Sequence, residues 1–179
     1  MPNKQPRIVS ANGQRTFACS PAAVVALLVN DQEQLLCGYH NKRQRWEAVS
    51  GVMEASETVV DAALRELREE MGETIQARPL GVVHASTFRY DDNARYMISI
   101  VYLLAYTGGE ITPGDDMSDG GYRWLPLAGL NAERPDVGIP REPWLLQRAL
   151  DLYRLWKDEH VVLQSTLNAN QQDHARRKT

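Results

Sequence analysis

Three glutamates, Glu66, Glu69 and Glu70, stand at relative positions zero, three and four in a stretch whose apolar residues recur with helical spacing. At about 3.6 residues per turn they fall within a sector of roughly 100° on one helix. Clustered carboxylates repel one another and weaken a helix unless positive charge offsets them. Arg65 can pair with Glu69 at the i,i+4 spacing, but one guanidinium does not balance three acids. A hard divalent cation would. Mg2+ prefers oxygen ligands, binds through a few carboxylates and shares its remaining positions with waters and substrate phosphates. On the helix alone, a solvated acidic face competes with this reading, because charged amphipathic faces are common.

The elements that must position these acids are also legible. Thr58 can cap the helix, Asp61 completes a capping-box pair, and Gly72 can end it. Val60, Leu64, Leu67 and Met71 form an apolar stripe for packing on a sheet, which leaves the acids beside the stripe at the edge of the buried interface. Upstream, Ala22 to Val29 suits a strand buried on both faces. Asn30-Asp31 is a turn, and Leu35 to Tyr39 returns as a second strand. Leu80 to Phe88 and Tyr96 to Tyr106 flank the turn signal Asp91-Asp92-Asn93 and predict a hairpin. Tyr122 to Leu125 is a short strand candidate, and Pro143 opens a second helix through Leu146, Leu150, Tyr153 and Trp156. This order suggests an α+β or α/β sandwich without a regular βαβ repeat.

The 179 residues suffice for one domain with a sizeable core. Residues 1–16 read as a poorly ordered lead-in, 17–160 as the domain, and 161–179 as a polar, disordered tail. A net charge of −3 lacks the basic footprint of a nucleic-acid-binding surface, so no stable nucleic-acid partner is expected. Cys19 and Cys37 lack metal-ligand spacing and read as two buried, reduced thiols. No secretory pattern opens the chain, and its longest apolar run is too short to span a bilayer. Cytoplasmic residence away from membranes is the expectation.

Gly51, Glu57, Arg65, Glu66, Leu67, Glu69, Glu70 and Gly72 together match the pattern G-x5-E-x7-R-E-U-x-E-E-x-G-U, where U is bulky and aliphatic. Every charged position agrees; only the last differs, where Glu73 replaces the aliphatic and Ile75 is the candidate substitute contact. A long motif with fixed spacing is specific, and the chain resembles the Nudix hydrolase family. Trp46-Glu47-Ala48-Val49-Ser50-Gly51 is similar to the strand leading into that family's box, although many members carry Pro-Gly-Gly at its end. Tyr122 to Leu127 is similar to the strand before the family's second helix.

The resemblance implies a Nudix-type mixed β-sheet sandwiched between α-helices. It also implies Mg2+-dependent cleavage, with Mn2+ as an alternative ion, of the diphosphate linkage in a nucleoside diphosphate joined to another group. Under it, Glu66 and Glu70 look like metal ligands, Glu69 a ligand or the group that deprotonates water, and the Gly51 carbonyl a further ligand. Glu57 would support the site, and Arg65 would hold neighbouring carboxylates. Glu110, Asp115, Asp116 and Asp119 are alternative bases in a loop whose plainer reading is a solvated surface.

For the substrate, Lys42, Arg43 and Arg45 could approach phosphates, although a solvated loop is the usual meaning of such a cluster. Tyr39, Trp46, Phe88, Tyr90 and Trp124 could stack on a base or belong to the core. The entry to the box is similar to that of members acting on nucleoside or pterin triphosphates, and Tyr90 resembles a tyrosine of dinucleoside polyphosphate hydrolases. Nucleotide sugars remain open. The rival reading is a non-catalytic Nudix-fold sensor of nucleotides, which is expected to lose acidic box positions that are all present here. A homodimer is compatible with the family, with no interface legible in the sequence.

Overall fold

The computed structural model describes residues 7–92, 96–117, 119–130, 136–138, 140 and 142–158. The strand predicted at its centre, β3 (Ala22–Val29), follows a hairpin of β1 (Arg7–Val9) and β2 (Thr16–Ala18). That hairpin lies partly inside the predicted lead-in. Ile8, Val9 and Phe17 are β-formers that pair there, yet they stay exposed. The predicted tail 161–179 lies outside the described residues.

Small and β-branched side chains let β3 bury both faces. Val24, Ala26 and Leu28 pack into one core, and Leu27 and Val29 into the other. On one side β3 pairs in parallel with β8 (Tyr96–Gly108), from Ala22 opposite Ile98 to Val29 opposite Ala105. Its other side is divided. Val29 meets Leu35 of β4 (Gln34–His40), whereas Ala23–Ala26 pair with β6 (Val49–Val52). β4 carries β5 (Arg45–Glu47) and β9 (Tyr122–Pro126), and β7 (Gln76–Arg89) forms the predicted hairpin with β8. Among the described residues this makes one mixed, seven-stranded sheet.

Helices cover its two faces, α1 (Val59–Met71) on one core and α2 (Pro143–Trp156) on the other. The Thr58–Asp61 capping box forms as predicted, and Gly72 ends α1. Ile75 is 4% exposed in the α1 core, while Glu73 is exposed, so the departure at the end of the box is repaired two residues later. The carbonyls of Glu70 and Met71 accept from Gly114 and Thr112 N–H at 3.0 and 2.8 Å, which satisfies acceptors that a helix end leaves open. Cys37 is buried, but Cys19 lies exposed just after β2, a departure from the expected burial of both thiols. Among the described residues no helix is long and apolar enough to cross a membrane.

Candidate active site

The divided edge of β3 sets the site. It brings Ser50 and Gly51 on β6 against α1, the helix that bears the acids. The buried side of α1 is Ala62, Ala63, Glu66, Leu67 and Met71, whereas Val60 and Leu64 are only half-buried. Glu66 is therefore inside the interface at 9% exposure, deeper than the edge position that the stripe predicts. Room for it exists because residue 51 is glycine. A Cβ there would stand 1.9 to 2.2 Å from the three carboxyl atoms of Glu66.

Arg65 organises the rest. Its Nε and Nη2 donate to the two carboxylate oxygens of Glu57 at 2.6 and 3.2 Å. Nη1 donates to Glu66 at 2.8 Å and Glu69 at 2.9 Å, and Nη2 also reaches the Val52 carbonyl at 3.0 Å. The guanidinium beside Glu57 holds that carboxyl below its usual range, helped by the Glu54 N–H. Glu70 turns the other way, its carboxylate 3.4 Å from the Ser50 N–H that donates to it. Burial first, and then the neighbouring Glu66 charge, push Glu70 up to about 8. Burial likewise raises Glu66, against the pull of Arg65.

Among the described residues no three His, Cys, Asp or Glu side chains already stand as a chelating cluster. Arg65 draws Glu57, Glu66 and Glu69 to itself while Glu70 faces Ser50. The donor set nevertheless fits a hard divalent cation: oxygen donors only, with two acids whose ionised forms are penalised by burial and mutual repulsion. Glu66, Glu69, Glu70 and the Gly51 carbonyl are the groups that could hold such an ion.

Desolvation of Glu70 has a measurable consequence. Its folded value of about 8 lies above its ordinary 4.5, so the native state binds the extra proton and stability falls as pH rises between those values. In cation-free protein, Glu70→Gln should melt above wild type, with a gap that widens from pH 5 to pH 8 and then levels off, pH limits that follow from about 4.5 and about 8. A pH-independent gap would show that Glu70 titrates normally.

On the α2 side of the sheet lies a cavity of about 510 Å³ that reaches Ser50, whose N–H faces Glu70, while none of the α1 acids lines it. Val25, Ser99 and Val101 floor it, Phe88 and Trp144 flank it, and Arg43, Arg45, Glu47 and Ser50 face it. Of the predicted phosphate contacts Lys42, Arg43 and Arg45, the last two line it. Tyr90 does not; it is 64% exposed and packs edge-on against Phe88 at 6.3 Å. Of the five candidate stacking aromatics only Phe88 lines the cavity. Trp46 is core, edge-on to Tyr39 at 5.1 Å with the Arg123 guanidinium over it, and Trp124 packs against Tyr106.

Lys42 pairs with Asp116 at 2.8 Å and holds that carboxyl below its usual range. Among the loop acids, the charge of Asp116 reaches Glu70. Sequence reasoning missed Glu47, His84 and Trp144. An acid set between Trp46 and the apolar pair Ala48-Val49 was a usable signal for Glu47. His84 and Trp144 meet edge to face at 5.0 Å across β7 and α2, a pairing that no local pattern announces.

Comparison with known proteins agrees with this architecture. The NUDIX domain model matches residues 20–147. The chain is 32% identical over 107 residues to an ADP-ribose pyrophosphatase of Methanocaldococcus jannaschii, covering 59% of this chain and 62% of the relative. It is 30% identical over 125 residues to the NAD-capped RNA hydrolase NudC of Photobacterium profundum, covering 68% and 43% of the two chains. In both cases the chain spans less than two thirds of the relative's length. In structure it is similar to a UDP-X diphosphatase, with TM-score 0.59 at 15% identity over 77% of this chain and 64% of that one. It is also similar to a NUDIX-family hydrolase from Clostridium perfringens, with TM-score 0.56 at 18% identity over 75% and 96%. With the family model matching residues 20–147, well over half of the chain, and every charged position of the box in place, the protein belongs to the Nudix family.

Proposed function

We propose that the chain is a Mg2+-dependent pyrophosphohydrolase that cuts the diphosphate linkage of a nucleoside diphosphate joined to a second group. The observation that carries this reading is the burial of Glu66 against Gly51 and the half-burial of Glu70 against Ser50, a residue that also lines the cavity of Arg43 and Arg45. Buried like charges cost stability. Their retention beside Ser50, a residue of the cavity wall that also carries Arg43 and Arg45, is explained by a cation that joins them to an anionic substrate.

Glu66, Glu70 and the Gly51 carbonyl would hold a divalent ion, which would supply charge neutralisation and a lowered pKa for the attacking water. Glu69, whose side chain is 44% exposed, is the acid that solvent reaches, and we assign it the water's proton. Arg65 orients Glu66 and Glu69 from one nitrogen. Arg43 and Arg45 meet the phosphates, and Phe88 and Trp144 offer flat surfaces to the nucleoside. The two curated relatives are named for ADP-ribose and for NAD-capped RNA. Nucleotide sugars therefore belong in the test panel beside the nucleoside triphosphates and dinucleoside polyphosphates that the box entry suggests.

Nucleoside monophosphate release should be measured across that panel, with Mg2+, with Mn2+ and with chelator. Turnover of at least one class that disappears on chelation is the expected result. Binding without turnover across the whole panel would establish a sensor instead.

A further inference from the structure

Glu47 belongs to no position of the box, yet at 4% exposure it is more deeply buried than Glu66. Its carboxylate accepts from Arg43 Nη1 and Arg45 Nε, both at 2.5 Å, and all three side chains line the cavity. As a device for stability such a cluster is poor, because desolvation offsets most of the Coulomb gain. As a device for binding it has two assets. One carboxylate between two guanidiniums leaves this cluster net positive, with Glu142 the other acid of the cavity lining. A guanidinium also carries several N–H donors in a fixed fork, and among the described residues one donor from each arginine reaches Glu47. Ser50 lines the same cavity while its N–H points at Glu70, so the cluster and the acids share a border.

The other side of Arg45 is built as deliberately. Trp46 N–H donates to the Asp136 carbonyl and Gly138 N–H to the Trp46 carbonyl, both at 2.7 Å. This lays residues 136–138 along β5. A Cβ on Gly138 would stand 2.3 Å from Arg45 Nε and 2.6 Å from Cδ, so only glycine lets Arg45 lie between that segment and Glu47.

We propose that Glu47 is a positioning residue that holds Arg43 and Arg45 as a preorganised clamp for the substrate's phosphate chain, with Gly138 as the spacer that admits Arg45. The proposal rests on the diphosphate reading of the same site. Preorganisation supplies the gain: side chains already ordered lose less entropy on binding, and guanidinium forks match phosphate oxygens.

The full chain, Glu47→Gln and Gly138→Ala should be compared by calorimetric binding of methylenediphosphonate, a non-hydrolysable P–C–P analogue of diphosphate, with and without Mg2+. Kinetics on whichever panel substrate turns over would accompany it. Each variant should weaken the analogue about tenfold and raise KM by a similar factor, with a smaller change in kcat. A merely structural cluster would shift the melting temperature and leave both affinity and KM at wild-type values, which would overturn the proposal. If Glu47→Gln does not fold, Gly138→Ala decides, because it displaces Arg45 without removing any charge. Wild-type protein that binds the analogue, loses affinity in the variants and turns over nothing would sink the hydrolase reading while upholding the clamp. Turnover with unchanged affinity in both variants would do the reverse.

Discussion

Gly51→Ala is expected to lower kcat/KM by about a hundredfold or more, although it removes no charged group from the site. The added methyl would sit 1.9 Å from Glu66 Oε1, 2.0 Å from Cδ and 2.2 Å from Oε2. All three atoms clash together, so rotation of the carboxyl group cannot relieve the contact and the side chain must leave its position. The backbone at residue 51, in β6, pairs with Val24 of β3 and has no left-handed φ, so alanine suits the strand and the fold should persist. Circular dichroism and melting would verify that, while steady-state kinetics on the best panel substrate would give the loss. Near-wild-type turnover in a folded Gly51→Ala protein would mean that the observed placement of Glu66 is irrelevant to catalysis.

Arg65→Met should have the largest effect on stability. The guanidinium joins Glu57, Glu66, Glu69 and the Val52 carbonyl, and its side chain is only 22% exposed. Methionine keeps much of the aliphatic stem but leaves three carboxylates without their counter-charge. Removing one member of a largely buried ion cluster costs about 3–5 kcal/mol, and the remaining exposure argues for the lower end. For a chain of this size that corresponds to a melting decrease on the order of 10 °C. Added Mg2+ should recover part of it, because a divalent ion offsets the same repulsion, and it should raise the melting point of Arg65→Met more than that of wild type. Equal Mg2+ shifts in the two proteins would separate the arginine from the acids proposed to bind the ion.

The two substitutions also mark how the site is divided between local and tertiary causes. Glu57, Arg65, Glu66, Glu69 and Glu70 lie within fourteen consecutive residues, and helical geometry alone places the last four on adjoining sectors of α1. The helix, its Thr58–Asp61 box and its end at Gly72 were readable for the same reason, since capping bonds span only three residues. The hairpin of β7 with β8 and the doubly buried β3 followed from runs of strand formers. What periodicity misjudged was depth. The stripe of Val60, Leu64, Leu67 and Met71 pointed the helix a fraction of a turn away from its true buried side, because Ala62 and Ala63, too small to dominate a hydrophobic pattern, are where α1 approaches the sheet most fully.

The sequence by itself determined the family, the acid-bearing helix and the strands at its back, because each depends on residues a few positions apart. Only the tertiary structure decided that Glu66 enters the interface, that Glu70 is desolvated while Glu69 meets solvent, and that Arg65 gathers three carboxylates. It alone assembled the cavity from β3, β5, β6, β7, β8 and α2, put Trp144 there in place of Tyr90, and set Gly138 against Arg45. The physical reason is that burial and close approach depend on which elements pack together. That is settled by the pairing of β3 with β6 on one side and β8 on the other, a long-range choice that no local window of residues contains.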